Sequence, residues 1–185
     1  MLTMDKAVFF DRDGVINVDS GYVGKIEDFH FIEGVPEALY AIRMKGYRLI
    51  LVTNQSGIGR GYYSEDDFWE LCDYMQESLE YNYALFDAIY FCPHHPEATL
   101  ESYRCDCECR KPKPGMFLQA KEDLNLNLSA SIMIGDHAGD LIAARRAGVK
   151  KLLLVGEHIQ EEQGKIDNIE VFDDLVAVVK EYKGF

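Results

Sequence analysis

FFDRDGVIN, residues 9–17, ends an apolar run with two aspartates two positions apart, Asp11 and Asp13, followed by a glycine. The apolar run, which begins at Ala7, is typical of a buried strand. A lone aspartate at the end of such a strand usually caps a helix or completes a turn. Two carboxylates on the same side of an extended chain can instead face one ligand, and Gly14 lets the chain turn away directly behind them. The ends of the other strands decide between these two interpretations.

Strand and helix patterns alternate along the chain, without repeats or a low-complexity linker. Apolar runs predict five strands: AVFFD, RLILVTN, DAIYFC, SIMIGD and KLLLV. Between them lie four helical patterns: PEALYAIRMKG, SEDDFWELCDYMQESLEY, GMFLQAKEDL and AGDLIAARRAG. Parallel strands need crossover connections, which helices provide on both faces of a sheet. The sequence therefore predicts an α/β fold with a doubly wound parallel sheet, and its length of 185 residues predicts a single domain, residues 1–185.

Polar side chains follow three of these apolar runs at the point where each strand ends. Asp11 and Asp13 follow the first run. Thr53 and Asn54 close the second, and Asp136 follows the fourth. Ligands of open α/β sheets bind beyond the carboxyl ends of the strands, so these groups are expected to converge. Carboxylates at Asp11 and Asp136 could share a hard cation such as Mg²⁺, and this combination favours a functional site over separate caps and turns.

The overall charge limits the kinds of partner. The chain has 32 acidic and 19 basic side chains, with a formal net charge of −13. Binding to nucleic acid or to an anionic membrane normally needs clustered Lys and Arg, so neither partner is expected. No apolar run is long enough to span a membrane, and the start MLTMDKAVFF lacks the features of a signal peptide. We expect a cytoplasmic monomer that binds a small molecule.

Four of the five cysteines are crowded into FCPHHPEATLESYRCDCECRKP, residues 91–112, together with two histidines. In a reducing compartment such a set predicts a metal rather than disulfides. Cys and His in close pairs across a loop are typical of a closed tetrahedral zinc site, and isolated buried cysteines are the alternative. Spacing does not fix the ligands, because Cys105 adds an overlapping CxC pair and His95 competes with His94. Cys72 lies in an apolar helix pattern and is expected in the core.

Four stretches resemble a known family. DRDGVIN, VTNQSG, CRKPKPG and IGDHAGD resemble the four motifs of the haloacid dehalogenase (HAD) superfamily of aspartate-dependent phosphatases. More narrowly, DRDGVINVDSGYV, VTNQSGIGRG, CPHHP and CECRKPKPGM are similar to the branch that removes the 7-phosphate of heptose bisphosphates. Histidinol-phosphate phosphatases share the DRDG and zinc-loop features and are the alternative, together with other small sugar-phosphate phosphatases. The resemblance implies a HAD-like fold without a large cap domain, and a sugar phosphate as substrate.

The resemblance assigns the chemistry to Asp11 and Asp13. Asp11 would attack phosphorus as the nucleophile and form an aspartyl phosphate. Asp13 would protonate the leaving sugar oxygen and later take a proton from water. Mg²⁺ would be held by the carboxylates of Asp11 and Asp136 and by the backbone carbonyl of Asp13, and Asp140 would support this set. The two intact aspartates disfavour the alternative from another class, a non-catalytic phosphate-binding scaffold.

Further residues carry over from the family as phosphate and substrate contacts. Thr53 and Lys111 take the role of holding the phosphoryl group. Arg110 would face the rest of the substrate, where a guanidinium suits a second phosphate or sugar hydroxyls. His137 stands where the heptose enzymes have a lysine after the motif-four GD, so a shorter and weaker base occupies that position. The other substrate-lining residues are Asp19, Ser20, Gly21, Tyr22, Asn54, Gln55 and Ser56.

Matching the family also places the zinc ligands. They would be Cys92, His94, Cys107 and Cys109. Without a large cap domain the site is expected to be open, with the zinc loop forming much of its wall. The sequence thus predicts a phosphatase that uses Mg²⁺ for chemistry and Zn²⁺ for structure.

Overall fold

The computed structural model describes residues 4–185, and this part of the chain forms one six-stranded sheet. The strands are β1 Ala7–Phe10, β2 Arg48–Asn54, β3 Ala88–Cys92, β4 Ile132–Gly135, β5 Lys151–Leu154 and β6 Glu170–Val171. Their spatial order is β3-β2-β1-β4-β5-β6, and every neighbouring pair is parallel. The predicted doubly wound parallel sheet is confirmed, with all five predicted strands in place.

Helices cover the sheet and supply the crossovers. They are α1 Val35–Arg43, α2 Ser56–Gly59, α3 Glu65–Glu80, α4 Gly115–Leu124, α5 Ala138–Ala147, α6 Ile159–Glu162 and α7 Leu175–Glu181. The four predicted helices correspond to α1, α3, α4 and α5. Helix α3 begins with a capping box, in which the Ser64 side chain accepts from the Asp67 amide and the Asp67 carboxylate accepts from the Ser64 amide. Such caps satisfy amides that otherwise lack partners and stabilise a helix by about 1 kcal/mol.

The apolar patterns do not predict the last strand and the last helix. Strand β6 has only two residues, both exposed, so it leaves no alternating pattern to read. Helix α7 is a nearly continuous apolar run, which periodicity cannot distinguish from a strand. Its start does carry a signal, because the Asp174 side chain accepts from the Ala177 amide as an N-cap. The single-turn helices α2 and α6 are too short for any periodic pattern.

The residues of β1 divide between two hydrophobic cores, one on each face of the sheet. Val8 and Phe10 pack into the core that contains α1 and α7, whereas Ala7 and Phe9 pack into the core that contains α4 and α5. All four side chains are fully buried. Alternation with period two follows from the pleat of the strand, and burial on both faces explains why AVFF is continuously apolar.

The strand order reverses between β1 and β4. The chain adds β2 and β3 on one side of β1 and then β4, β5 and β6 on the other. The Asp11 amide donates to the carbonyl oxygen of Ile134 at 3.1 Å, so the ends of these two strands lie side by side. A crevice forms at such a reversal and is the usual ligand site of doubly wound sheets.

Two irregular segments border this crevice. Residues 11–34 follow β1 and residues 93–114 follow β3, and each contains only one short 3₁₀ turn, Ile26–Asp28 and Glu101–Tyr103 respectively. No large cap domain is inserted between the strand ends of residues 4–185. Within the same residues, no helix combines the length and the apolar character needed to cross a membrane.

Candidate active site

Side chains from the ends of β1 and β4 meet in a buried cluster around Lys111. The Lys111 ammonium donates to Asp11 Oδ1 at 2.7 Å and to the carbonyl oxygen of Val52 at 2.8 Å. Its Nζ also lies 2.7 Å from Oδ1 of Asp140 on α5. Lys111 is only 5% exposed, although it belongs to an irregular segment. We call Asp11, Lys111, Asp136 and Asp140 the catalytic cluster.

Burial and crowding shift the acidity of this cluster. Burial raises the pKa of Asp11 to about 8, with Asp140 and Asp136 reinforcing the shift and Lys111 offsetting part of it. Burial also raises the pKa of Asp136. Burial alone would lower the pKa of Lys111, but Asp11 and Asp140 raise it, so the ammonium keeps its charge. Three buried carboxylates thus share one buried ammonium, besides the exposed His137 at Asp136, and Asp11 needs further positive charge nearby to be an ionised nucleophile.

The surroundings of Asp136 fit a divalent cation. Its Oδ1 lies 2.9 Å from Nδ1 of His137, yet the angle is not that of a hydrogen bond, and this buried oxygen has no donor within residues 4–185. Gly14, at φ +79°, leaves room beside it, because a Cβ there would come within 2.3 Å of Asp136 Oδ2. Ligand atoms of Asp136, His137 and Asp140 lie within 4.8 Å of one another. A hard cation with oxygen ligands would neutralise the excess charge and use the unpaired oxygen.

Asp13 is held by donors from three residues. Nε and Nη2 of the buried Arg12 donate to its carboxylate over 2.9 to 3.2 Å. Asn17 Nδ2 donates to Oδ1 at 3.0 Å, and Gln55 Nε2 donates to Oδ2 at 3.1 Å. These bonds fix the plane of the carboxylate. The sequence patterns do not identify Arg12 or Asn17 as part of the site, although an arginine between two strand-end aspartates is a signal for a local ion pair.

Thr53 and Asn54, at the end of β2, connect to different parts of the site. Thr53 Oγ1 accepts from Gln55 Nε2 at 2.8 Å. Asn54 Nδ2 donates to the Lys111 carbonyl oxygen, and the Lys111 amide donates to Asn54 Oδ1, both at 3.1 Å. These two hydrogen bonds fix the Lys111 backbone at the end of β2, and from there the Lys111 side chain reaches Asp11. A residue predicted to line the substrate therefore also positions Lys111.

A cavity of about 330 Å³ opens beside Asp11. Its lining combines most of the predicted substrate residues with one more, Tyr63: Asp11, Asp13, Asp19, Gly21, Tyr22, Asn54, Gln55, Ser56, Tyr63, Arg110 and His137. Ser20, Thr53 and Lys111 are not part of that lining. A larger neighbouring cavity of about 490 Å³ includes Asp136 but lacks Asp11. The smaller cavity is therefore the one that contains both predicted catalytic aspartates.

The residues from Asp19 to Tyr22 form an exposed turn at the rim of this cavity. Asp19 Oδ1 accepts from the Gly21 amide at 2.8 Å, and Ser20 is exposed in the same turn. Tyr22 has φ +52°, a conformation that is rare for a residue with a side chain. Its ring packs edge-on against Tyr62, with 4.9 Å between the ring centroids. The turn therefore holds the Tyr22 backbone in a strained conformation and places its aromatic ring at the mouth of the cavity.

Arg110 and His137 bring positive charge to the cavity. Arg110 Nη1 donates to the carbonyl oxygen of His94 at 3.2 Å. His137 is the N-cap residue of α5, and its amide donates to Asp140 Oδ2 at 3.1 Å. Contact with Asp136 raises the pKa of His137 to about 9, so the imidazole is protonated at neutral pH in this arrangement. Two cationic side chains at the rim suit an anionic substrate.

Three cysteines and one histidine converge where β3 ends and the second irregular segment begins and returns. Ligand atoms of Cys92, His94, Cys107 and Cys109 lie within 4.8 Å of one another, and we call these residues the Cys/His cluster. Their sulfur atoms are 3.1 to 3.4 Å apart, well beyond a disulfide bond. Contact with Cys92, and then with Cys107 and His94, lowers the pKa of Cys109 to about 5. The donor set fits a closed tetrahedral zinc site, which binds thiolates and imidazoles.

The two competing ligands lie outside this cluster. Cys105 is exposed. His95 Nδ1 accepts from the Glu97 amide at 3.0 Å and so has a partner within the protein. The geometry therefore assembles the four residues that the family resemblance implies, a choice that spacing alone left open. Cys72 is buried in an apolar cluster that also contains Phe68, as its helix pattern indicates.

The amino-acid sequence is similar to those of known proteins over most of its length. A family model described as polynucleotide kinase 3 phosphatase matches residues 6–163. A protein of Haemophilus ducreyi named D-glycero-beta-D-manno-heptose-1,7-bisphosphate 7-phosphatase is 52% identical over 177 residues, which cover 94% of this chain and 96% of the relative. A protein of Burkholderia mallei named D-glycero-alpha-D-manno-heptose-1,7-bisphosphate 7-phosphatase is 49% identical over 151 residues, covering 82% of this chain and 80% of the relative.

A solved structure has the same architecture. It is the crystal structure of D,D-heptose 1,7-bisphosphate phosphatase from B. bronchiseptica complexed with magnesium and phosphate. The TM-score is 0.84 at 30% sequence identity, and the match covers 95% of this chain and 97% of that protein. The similarity therefore extends through both irregular segments as well as the sheet.

Proposed function

The chain belongs to the D-glycero-D-manno-heptose-1,7-bisphosphate 7-phosphatases of the HAD superfamily, and we propose that it removes the 7-phosphate of such a heptose bisphosphate. The observation that carries the proposal is the buried contact of Lys111 with Asp11 and Asp140, with Asp13 lining the same cavity as Asp11. A nucleophile, a phosphate-binding ammonium and an acid–base group then meet at the carboxyl edge of the sheet. A phosphate monoester placed there would face all three.

The chemistry proceeds in two steps. Asp11 attacks phosphorus, so that a bond forms between its carboxylate oxygen and phosphorus while the bond to the sugar oxygen breaks. Asp13 gives a proton to the departing oxygen and then takes one from the water that hydrolyses the aspartyl phosphate. Thr53 and Lys111 hold the phosphoryl oxygens through a hydroxyl and a charged ammonium. Because Lys111 contacts Asp11 as well, it holds the phosphoryl group next to the nucleophile.

We assign Mg²⁺ to the carboxylates of Asp11 and Asp136 and the backbone carbonyl of Asp13. The excess buried negative charge and the unpaired oxygen of Asp136 support this assignment, as does the magnesium of the B. bronchiseptica phosphatase. When bound, the ion supplies positive charge to the phosphoryl oxygens. Asp140 supports the ligands rather than joining them, because its carboxylate already engages Lys111 and the His137 amide.

We assign Zn²⁺ to Cys92, His94, Cys107 and Cys109. The support is the convergence of three sulfur atoms and one imidazole nitrogen in a segment with little secondary structure. Four such ligands would tie the segment together and leave no open position for substrate, which is the pattern of a structural site. The role of this ion is to hold the wall of the cavity.

Arg110 and His137 are proposed to recognise the end of the substrate that does not react. Both line the cavity, and a guanidinium can form two charge-assisted hydrogen bonds to a phosphate. The second phosphate of a heptose bisphosphate fits this requirement, whereas a monophosphate would leave the charges unmatched. The substrate contacts of Asp19, Ser20, Gly21, Tyr22, Asn54, Gln55 and Ser56 stay predictions.

The domain organisation, oligomeric state and location of the protein are also proposals. We propose that residues 1–185 act as one catalytic domain, since both cores are built on one sheet. A monomeric state and a cytoplasmic location stay predictions. Histidinol phosphate is the alternative substrate. The formal net charge of −13 disfavours a nucleic-acid substrate.

A substrate panel tests the proposed function. It contains the α and β anomers of D-glycero-D-manno-heptose 1,7-bisphosphate, histidinol phosphate, other sugar phosphates and a 3′-phosphorylated oligonucleotide. We expect the highest kcat/KM with one heptose bisphosphate anomer and release of phosphate from position 7 only. A higher kcat/KM with histidinol phosphate or the oligonucleotide would contradict the proposal.

A further inference from the structure

Tyr63 lines the cavity and is linked to the predicted catalytic groups through one other side chain. Its hydroxyl donates to Gln55 Oε1 at 2.6 Å. The amide nitrogen at the other end of Gln55 donates to Asp13 Oδ2 at 3.1 Å and to Thr53 Oγ1 at 2.8 Å. One hydroxyl is therefore linked, through one amide group, to the acid–base residue and to a phosphate-binding residue.

The orientation of the Gln55 amide follows from its partners. The Asp13 oxygen that faces Gln55 accepts a hydrogen bond both when Asp13 is ionised and when its proton lies towards the leaving group, so the Gln55 nitrogen points towards Asp13 and the Gln55 oxygen points away. The oxygen then needs a donor, because Gln55 is only 1% exposed and an unpaired buried amide oxygen is costly. The Tyr63 hydroxyl supplies that donor. Burial raises the pKa of Tyr63 to about 12, so the hydroxyl keeps its proton at neutral pH.

Two glycines keep the Tyr63 ring in this place. A Cβ on Gly24 would come within 2.1 Å of the ring, and a Cβ on Gly57 would come within 2.3 Å of it. Any residue other than glycine at position 24 or 57 would therefore collide with the Tyr63 ring. On its far side it packs with Ile58 and Phe68 in a small apolar cluster. Tyr63 has little freedom to move away from Gln55.

Both N–H groups of the Gln55 side chain are engaged by the protein, which leaves only a second lone pair of its oxygen for any further hydrogen bond. Its oxygen accepts from Tyr63, its nitrogen donates twice, and its backbone amide donates to the carbonyl oxygen of Cys92 at 2.8 Å. Thr53 Oγ1, having accepted from Gln55, can direct its own hydroxyl proton elsewhere. The two bonds of the Gln55 nitrogen thus orient both catalytic side chains at once.

We propose that Tyr63 is a positioning residue that acts through Gln55 to hold the carboxylate of Asp13 in line with the leaving oxygen. This role rests on the proposed function, since it needs Asp13 to act as the proton donor. Tyr63 does not touch the reacting atoms in this arrangement. Its loss should therefore weaken proton transfer more than substrate binding.

The test compares two leaving groups. The heptose alkoxide needs a proton to depart, whereas 4-nitrophenolate needs little, and kcat/KM reports the first phosphoryl transfer for both substrates. For Tyr63→Phe we expect kcat/KM to fall about fivefold to tenfold with heptose bisphosphate and less than about threefold with 4-nitrophenyl phosphate. KM for the bisphosphate should change little. Any effect through Thr53 is common to both substrates and cancels in the ratio.

Tyr182→Phe is the matched control. Tyr182 and Tyr63 are both 8% exposed, but Tyr182 lies in the core on the face of α1 and α7, away from the cavity. We expect its activity on both substrates to equal that of the unaltered protein, with thermal stability similar to that of Tyr63→Phe. Equal losses with the two substrates for Tyr63→Phe, or no loss, would overturn the positioning role.

A double variant tests whether the effect passes through Gln55. If Tyr63 acts only by orienting that amide, Tyr63→Phe should add nothing to the loss caused by Gln55→Ala, whereas independent roles would add. Additive losses would overturn the proposal. An unaltered protein that hydrolyses neither substrate would remove the proposed function and this role together. Normal hydrolysis with an unchanged leaving-group ratio in Tyr63→Phe would remove this role alone.

Discussion

The catalytic cluster and the Cys/His cluster are built in opposite ways. In the catalytic cluster, Asp11 and Asp136 directly follow core strands whose side chains are buried, and Lys111 contacts Asp11 and Asp140. The Cys/His cluster has only Cys92 on a strand, and its other residues come from residues 93–114, which contain a single short 3₁₀ turn. The sheet positions Asp11 and Asp136, whereas Lys111 and most of the Cys/His cluster come from a segment with little secondary structure.

This difference predicts what a metal ion does in each place. In the catalytic cluster a cation offsets surplus negative charge, so its removal should stop chemistry while leaving the fold in place. In the Cys/His cluster an ion replaces a missing core, so its removal should loosen the segment. The two regions are joined, because the Gln55 amide donates to Cys92 O and Arg110 donates to His94 O. Lys111 also follows Cys109 by only two residues, so loosening the second cluster should lower activity by displacing Lys111 and the cavity wall.

Asp11→Asn should break the catalytic cluster most severely. An amide is neither a competent nucleophile nor an anionic metal ligand, so we expect a loss of about 10⁴-fold or more in kcat. The fold should persist, and the thermal stability of the metal-free protein should be no lower, because the substitution removes one of three crowded buried carboxylates. Steady-state kinetics and thermal unfolding check both parts. Near-native activity would remove Asp11 from the mechanism.

Asp13→Asn should also be severe, but its effect should depend on the substrate. We expect a loss of about 10² to 10⁴-fold with the heptose bisphosphate, as for a missing general acid. The value of kcat/KM with 4-nitrophenyl phosphate should fall much less, since that leaving group needs little protonation. Parallel assays of the two substrates make the measurement. An equal loss with both would mean that Asp13 holds structure or metal rather than the transferred proton.

The Cys/His cluster can be broken with a built-in control. Cys107→Ser should reduce the zinc content from about one ion per chain to almost none, whereas Cys105→Ser should retain it, because Cys105 is exposed outside the cluster. Losing about 2 kcal/mol of stability would lower Tm by about 4 to 8 °C. Metal analysis of protein prepared without chelators, together with thermal unfolding, tests this. Zinc lost from Cys105→Ser and kept by Cys107→Ser would contradict the ligand assignment.

Arg110→Ala should have the smallest of these effects and the most selective one. The side chain lines the cavity while its Nη1 donates to His94 O, so it joins the two regions compared above. We expect kcat/KM to fall about tenfold with the heptose bisphosphate and to change little with the corresponding 7-monophosphate. Both substrates use the same nucleophile, which controls for the chemical step. Equal losses would place Arg110 at the transferred phosphate instead.

The sequence predicts the catalytic cluster better than its support. Asp11, Asp136 and Lys111 could be placed because strand ends of a parallel sheet converge and because their motifs resemble a known superfamily. The support of Asp13 could not, since Asn17, which donates to Asp13, and Tyr63, which donates to Gln55, approach through turns whose paths depend on tertiary packing. Gln55 borders the cavity, so its predicted contact with the substrate stays a prediction, while its side-chain amide also donates to Asp13 and Thr53.

The choice of the proposed zinc ligands could not be made from residue types and spacing alone. The spacing CDCEC allows two CxC pairs, and CPHHP offers two histidines, so residue types alone do not select a set. Only the folded segment places Cys107 and Cys109 beside Cys92 while leaving Cys105 at the surface. Strand β6 was missed for a related reason, because two exposed residues at a sheet edge carry no hydrophobic pattern.

Trapping the aspartyl phosphate tests the central claim most directly. In Asp13→Asn, 4-nitrophenyl phosphate can still phosphorylate Asp11, because its leaving group needs little proton donation, whereas the base that activates water is missing. Acid quenching, digestion and mass spectrometry should then find one phosphoryl group on the peptide that contains Asp11. The double variant with Asp11→Asn should carry none. Release of 4-nitrophenol by Asp13→Asn without a phosphoryl group on that peptide, or with the group on another residue, would contradict Asp11 as the nucleophile.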